Sequence, residues 1–369
     1  MILMDMKVDN LYALNDFHMN MSYPKKIVNS SIPNEFLEDR KNFRYKKLNI
    51  IMGSNATGKT SIGKLLMNFA NYISDTIYRR FFALVDDVSK PAYLSLDFVV
   101  KEPILYRFEM NINPKNGDEY TKEDIDIKLV MTKINTNDNY ETCAERIDKG
   151  SFTEVSVDDI DLGGWFFTYP FDELGKINTY SIRDNDSRYL DVLKKVMTTL
   201  DPSIKDIKKI EDVENAYIIY LSNKKVLLEN GKIQSENYLS SGTKEGIELA
   251  YIIASMNFGY HDFHYCDEMF SYINSDIEKA IISVIIDKLS DRKQVFFTTH
   301  NSDVLDMNIP KHSFTFLKRR IIDGVPKTEA VYASDYLKRN TDSLKNAVEN
   351  DLFCTAPDLN KIFEIDEEI

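Results

Sequence analysis
Apolar positions along this chain alternate between two periods, and the switches mark out its elements. Residues 1–52 form short apolar runs broken by a polar loop containing Pro24 and Pro33, ending in Leu48-Asn49-Ile50-Ile51. Ile62, Leu65, Leu66, Phe69 and Ile73 then recur at helical spacing. From about Ala92 to Phe167 the period falls to two, as in Tyr93-Leu94-Ser95-Leu96-Asp97-Phe98. Turn-rich pieces such as Asn113-Pro114-Lys115-Asn116-Gly117 separate these runs, so a mostly antiparallel strand region is expected. Residues 172–212 read as helical, with Tyr189, Leu190, Val192, Leu193, Val196 and Leu200 apolar. A hairpin of 216–221 with 226–228, turning near Asn230-Gly231, is predicted next. From Leu239 onward helix and strand alternate, as a parallel sheet requires. No internal repeat or low-complexity segment appears, and no sustained heptad array lies between Thr60 and Tyr238.

At 369 residues, 43% hydrophobic and 12% aromatic, the chain is long and apolar enough for a full core. A formal charge of -13 argues against a generally basic DNA-coating protein, although a local basic groove is compatible with it. The cysteines, Cys143, Cys266 and Cys354, are scattered and odd in number, which suits reduced thiols and offers no metal-ligand spacing. No apolar run reaches membrane-span length, and Met1-Ile2-Leu3-Met4-Asp5 does not read as a signal peptide. A cytoplasmic protein with no membrane partner is expected.

Chemistry concentrates in four places. Gly53-Ser54-Asn55-Ala56-Thr57-Gly58-Lys59-Thr60-Ser61 reads G-x-x-x-x-G-K-T between a strand and a helix. That is the order a phosphate-cradling P-loop needs. Its backbone amides and the helix dipole favour anions, Lys59 can reach the β- and γ-phosphates, and Thr60 can ligate Mg²⁺. Ser240-Ser241-Gly242-Thr243 opens a helix with Ile247, Tyr251 and Ala254 on one face, a second candidate anion site. Phe263-His264-Tyr265-Cys266-Asp267-Glu268 is a strand ending in two carboxylates. Asp267 is the candidate Mg²⁺ ligand and Glu268 the candidate general base for an attacking water. His264 is unusual in a central strand, where it is either a hydrogen-bonded core histidine or the mark of a less-buried face. Finally, Gln294-Val295-Phe296-Phe297-Thr298-Thr299-His300 places His300 at the carboxyl end of a strand, where parallel sheets bind ligands.

The order and spacing of these parts carry a resemblance. The serine-glycine motif follows the P-loop by about 180 residues, Asp-Glu follows about 25 later, and His300 about 30 beyond that. The chain resembles the ATP-binding-cassette ATPases of the SMC/RecF/OLD-like group. Gly53–Ser61 resembles their Walker A, Ser240-Ser241-Gly242 the cassette signature, Asp267-Glu268 Walker B with its catalytic glutamate, and His300 the switch histidine. Ser271–Asp276 falls where the D-loop would be, and the Q-loop is expected near Trp165–Pro170. Ser241 and Thr243 stand where transporters carry glycine and glutamine.

The resemblance implies an α/β P-loop fold: a mixed or parallel sheet flanked by helices, an antiparallel β region and a small helical subdomain. It divides the chain into an ATPase head, 1–310, and a C-terminal extension, 311–369. Within the head lie a P-loop lobe (1–91), a strand-rich and helical insertion (92–238) and a signature lobe (239–310). It implies ATP and Mg²⁺ as cofactors, hydrolysis using Glu268, His300 and Lys59, and ATP closed between two copies. In that arrangement Ser240, Ser241 and Gly242 act in trans on the partner's nucleotide, and the protein is a homodimer or higher oligomer.

The stretch between Walker A and the signature is too short and too strand-like for SMC coiled-coil arms. The roughly 70 residues after His300 lack the acidic clusters a nuclease domain needs, and Glu364, Asp366, Glu367 and Glu368 read as solvated charge. Residues 333–357 resemble the tail of stand-alone ATPases in two-gene AbiL-like or PARIS-like phage-defence modules. There a separate protein, a nuclease or toxin, is the effector. The alternative is a RecF-like repair ATPase with duplex DNA as partner.

Overall fold
The computed structural model describes residues 1–169, 187–234, 238–322, 324–339, 342–356 and residue 363. The chain begins with β1 (Ile2–Asp9), β2 (Phe17–Asn20), the short β3 (Phe36–Leu37) and β4 (Arg40–Arg44), then β5 (Leu48–Gly53), which enters the P-loop and α1 (Lys59–Asp75). Next come β6 (Ala92–Val99), β7 (Ile104–Ile112), β8 (Ile125–Lys133), α2 (Tyr140–Asp148), β9 (Thr153–Glu154) and β10 (Trp165–Thr168). Then follow α3 (Ser187–Leu200), β11 (Ile204–Lys209), β12 (Ala216–Leu221), β13 (Lys225–Glu229) and β14 (Lys232–Gln234). The chain continues through α4 (Ser241–Phe258), β15 (Phe263–Cys266), α5 (Ser275–Asp287), β16 (Gln294–Thr298), β17 (Phe314–Ile322) and β18 (Val325–Tyr332). Two short helices follow, α6 (Ala333–Tyr336) and α7 (Leu344–Glu349).

The strands form three larger sheets. The first is antiparallel, in the order β2-β1-β6-β7-β8-β9. The second, β10-β15-β16-β5-β17-β18, is parallel except for the β17–β18 hairpin. The third is the meander β11-β12-β13-β14.

Packing explains why β5 is apolar apart from Asn49, whose Nδ2 donates to the Lys46 carbonyl at 2.9 Å: both of its faces are buried. Leu48, Ile50 and Met52 join one core with Val295, Phe297 and Phe316, packed under α3, α4, α5 and the meander. Ile51 faces the other core, with Phe263, Tyr265 and Phe296. There α1 lies between two sheets, its Ile62, Leu65, Leu66, Phe69 and Ile73 meeting Leu96, Phe98 and Phe108 of the antiparallel one. Gln294, fully buried, stitches the two sheets together: Oε1 accepts from Leu3 N–H (2.8 Å), and Nε2 donates to the carbonyls of Leu3 and Lys46 (3.0 Å each).

Several expected boundaries move. Residues 204–209 form a strand, not the end of a helix. Asp201-Pro202-Ser203 stops α3, with the Asp201 carboxylate accepting from Ser203 N–H at 2.9 Å. A bulge between Ile204 and Asp206 lets Ile204 and Ile207, three positions apart, both turn inward from a strand. Residues 172–186 of that expected helix lie outside the described residues. Asn230-Gly231, both with positive φ (49° and 74°), joins β13 to β14, one hairpin later than expected. β10 belongs to the parallel sheet beside β15, not to the antiparallel region before it. Beyond residue 310, where the extension was expected to start, β17 pairs directly with β5. No helix among the described residues is long and apolar enough to cross a membrane.

Candidate nucleotide site
The loop between β5 and α1 has the geometry of an anion cradle. Gly58 takes φ +98°, so α1 begins without a side-chain cap, and no acidic residue occupies its first turn. The first amides of the helix are therefore left for an external acceptor. Within the loop Thr57 Oγ1 donates to the Ser54 carbonyl at 2.8 Å, and Ala56 adopts φ 61°. Asn55 is exposed at the tip, and Ser61 follows Thr60 in the first turn of α1. Lys59 Nζ donates to the Gly53 carbonyl (3.0 Å) and more weakly to that of Ser54 (3.4 Å). It also lies 3.6 Å from Glu268 Oε1. Burial pulls the Lys59 pKa below its ordinary value, and the carboxylates of Glu268 and Asp267 oppose that fall.

The ends of β15 and β16 supply the opposite wall. Asp267 is fully buried; its Oδ2 accepts from Thr60 Oγ1 at 2.5 Å and its Oδ1 from Thr298 Oγ1 at 2.7 Å. Burial raises the Asp267 pKa, and these hydroxyl bonds pull against the rise. Thr298 Oγ1 also accepts from Glu268 N–H at 2.8 Å, so one threonine holds both members of the acidic pair. Glu268 sits at φ 44°, an uncommon conformation for a side chain of its size. Its Oε1 is 3.0 Å from His300 Nε2. Lys59 and His300 thus converge on one carboxylate oxygen of Glu268. Tyr265 supports the site from beneath, its hydroxyl donating to the Lys59 carbonyl at 2.6 Å.

His300 is steadied by its neighbours. Thr299 Oγ1 donates to Glu278 Oε1 at 3.1 Å, and Asn301 Nδ2 donates to Glu278 Oε2 at 2.5 Å. Both tie the loop to α5, as does the bond from Asn301 Nδ2 to Ser275 Oγ at 2.9 Å. A cavity of about 610 Å³ opens between Ser54, Asn55 and His300 on one side and Val348, Thr355 and Ala356 on the other.

Thr60 and Asp267 fit Mg²⁺ in kind, offering hard oxygen donors side by side. Among the described residues no group of three or more His, Cys, Asp or Glu could hold a metal.

Ser240, Ser241 and Gly242 stand apart from this group. Ser240 Oγ caps α4, accepting from Thr243 N–H at 3.1 Å. Ser241 is exposed as the first helical residue, and Gly242 lies against the carbonyl of Tyr272. Tyr272 N–H donates in turn to Glu245 Oε2 at 3.4 Å, joining the start of α4 to the 271–276 segment. The expected Q-loop region ends β10, where Thr168 Oγ1 donates to Glu248 Oε2 and the Thr168 carbonyl accepts from Asp267 N–H at 3.0 Å. Pro170 lies outside the described residues. His264 proves to be the hydrogen-bonded core histidine: it is fully buried, with Nε2 2.9 Å from Ser255 Oγ. Burial holds its pKa well below the usual imidazole range, so it stays neutral.

Sequence reasoning gave no role to Thr298, Tyr265, Glu278 or Asn301. Thr298 and Tyr265 sat within the quoted strands, and only their partners in space reveal what they do.

No known protein family and no curated protein matches this sequence. Among solved structures the fold is similar to an SMC head bound to the C-winged helix domain of ScpA. The identity is 12%, the TM-score 0.52, and the match covers 92% of this chain and 100% of that one. It is also similar to an SMC head with an extended coiled coil, bound to the C-terminal domain of ScpA derived from Pyrococcus furiosus. There the identity is 12%, the TM-score 0.50, and the coverage 91% of this chain and 98% of that one. The fold is that of SMC-type ATPase heads, an α/β P-loop architecture of the ATP-binding-cassette class.

Proposed function
We propose that this chain binds ATP with Mg²⁺, closes head-to-tail on a second copy around it, and hydrolyses it. The observation that carries the reading is the convergence of Lys59 and His300 on Glu268, beside an Asp267 clasped by Thr60. In this scheme the P-loop from Gly53 to Ser61 cradles the phosphates. Thr60 and Asp267 would hold Mg²⁺, which when bound supplies charge neutralisation at the phosphates. Glu268 accepts a proton from water as its oxygen bonds to the γ-phosphorus. The bond from that phosphorus to the β–γ bridging oxygen breaks, leaving ADP and phosphate. Lys59 and His300 steady the charge gathering on the transferred group. Ser240, Ser241 and Gly242 complete the site of the other copy, because the α4 N-terminus binds anions and its own contacts lie with Thr243 and Tyr272.

The finer role is a sensor or scaffold for a separate effector protein in bacterial phage defence. The absence of heptads between Thr60 and Tyr238 and the tail resemblance support it. So does the fold comparison, in which the similar heads carry a bound domain of another protein, ScpA. Size-exclusion chromatography with Mg-ATP tests the gate. Glu268→Gln is expected to accumulate an ATP-bound dimer while Lys59→Ala remains monomeric. Identical elution of the two variants with and without Mg-ATP would refute it.

A further inference from the structure
β17 runs alongside the P-loop strand, pairing Leu317 with Gly53. Two residues further, and so on the same face, Arg319 reaches past the end of β5. Its Nη1 donates to the carbonyl of Ala56 at the loop tip. The strand that delivers it is well anchored. Asn15 Nδ2 donates to the Pro326 carbonyl (3.3 Å), and Lys327 pairs with Asp16 (3.0 Å), fastening the β17–β18 hairpin to the loop between β1 and β2. Ala56 meanwhile holds φ 61°, a left-handed conformation that glycine enters freely and alanine resists. Because the peptide is planar and trans, a carbonyl held outward turns the following Thr57 N–H to the inner side of the loop.

We infer that Arg319 is a positioning residue for the nucleotide: its guanidinium keeps the Ala56 peptide in the left-handed turn, so that the loop meets the phosphates already shaped. This rests on the ATP reading above. The sequence holds no motif for it, since Arg319 lies about 260 residues from the loop it braces.

The test compares wild type, Arg319→Met, Arg319→Lys, Ala56→Gly and the Arg319→Met/Ala56→Gly double variant. Titration with a fluorescent ATP analogue gives Kd, and steady-state hydrolysis separates KM from kcat. Losing one charge-assisted bond to the loop should weaken binding by about tenfold in Arg319→Met, with kcat changing much less. Arg319→Lys should recover most of the affinity. Ala56→Gly should restore the double variant, because glycine enters the left-handed turn without the strain that alanine meets there. Melting curves check folding; if Arg319→Met unfolds, the neutral Arg319→Gln takes its place in both backgrounds and should show the same loss and the same rescue. A wild type that binds no nucleotide defeats the ATP reading itself. A wild type that binds, with Arg319→Met equally tight, overturns the inference. So does a weakened Arg319→Met that Ala56→Gly fails to rescue, which would make Arg319 a direct ligand contact.

Discussion
Gly63→Ala is a small change with a large expected effect, and opposing contributions decide its sign. Gly63 lies inside α1, where alanine would ordinarily stabilise by about 1 kcal/mol through helix propensity. Here, however, a Cβ would stand 2.4 Å from Tyr265 Cε1, 2.7 Å from Cδ1 and 3.1 Å from Cζ. The ring cannot swing away. It is fully buried, with the Phe296 ring at 5.8 Å and the Phe167 ring at 6.3 Å between centroids, and its hydroxyl is bonded to the Lys59 carbonyl. Overpacking a site of this kind costs about 1–3 kcal/mol. Breaking the buried hydroxyl bond costs roughly 1–3 kcal/mol more. Against a propensity gain of about 1 kcal/mol, the net loss is about 3 kcal/mol. Urea denaturation should show it as a lower midpoint with an unchanged slope. Trimming the ring in Gly63→Ala/Tyr265→Leu should cost less than the two single changes added together, since the clash is shared. A neutral or stabilising Gly63→Ala would refute the reasoning, because it would mean that α1 slides on β15 freely.

Thr298→Val keeps the shape but strips the hydroxyl that serves Asp267 Oδ1 and Glu268 N–H. It should cost about 2 kcal/mol or more in urea denaturation and slow ATP hydrolysis at least tenfold, by the usual cost of orphaned buried polar groups. Glu245 gives a pH signature: burial and the neighbouring Glu248 push its pKa from 4.5 up to about 8. The folded protein then binds the extra proton across that window, so stability falls as pH rises from 4.5 to about 8 and levels off above. Glu245→Gln should remove roughly 2–4 kcal/mol of that fall, seen as a smaller melting-temperature gap between pH 5 and pH 8.5. An unchanged gap would show that Glu245 is ionised in the fold.

What the sequence made legible was local. The glycine loop, the serine cap on α4 and the carboxylates ending β15 each announce themselves within about ten residues, because strand, turn and helix preferences are short-range. The site's supports were hidden, being partners distant in sequence. Thr298 holds Asp267 across 31 positions, and Tyr265 reaches Lys59 across 206. β11 misled by its period, since a bulge lets two inward residues sit three apart. β10 gave no sign of its sheet: its apolar run suits a parallel or an antiparallel neighbour equally.

The sheet order also has a consequence for synthesis. Both neighbours of the P-loop strand, β16 and β17, begin about 240 and 260 residues after β5 ends. The antiparallel sheet, by contrast, draws all its strands from before residue 155. At about 5–20 residues per second a ribosome needs roughly 12–50 seconds to deliver both partners. During that interval Leu48–Met52 is a finished apolar strand with two raw edges, while the sheet beside it can already pair. The phosphate loop is thus encoded early and assembled late. The nascent chain must keep this apolar segment from other strands until nearly the last of the sheet has emerged.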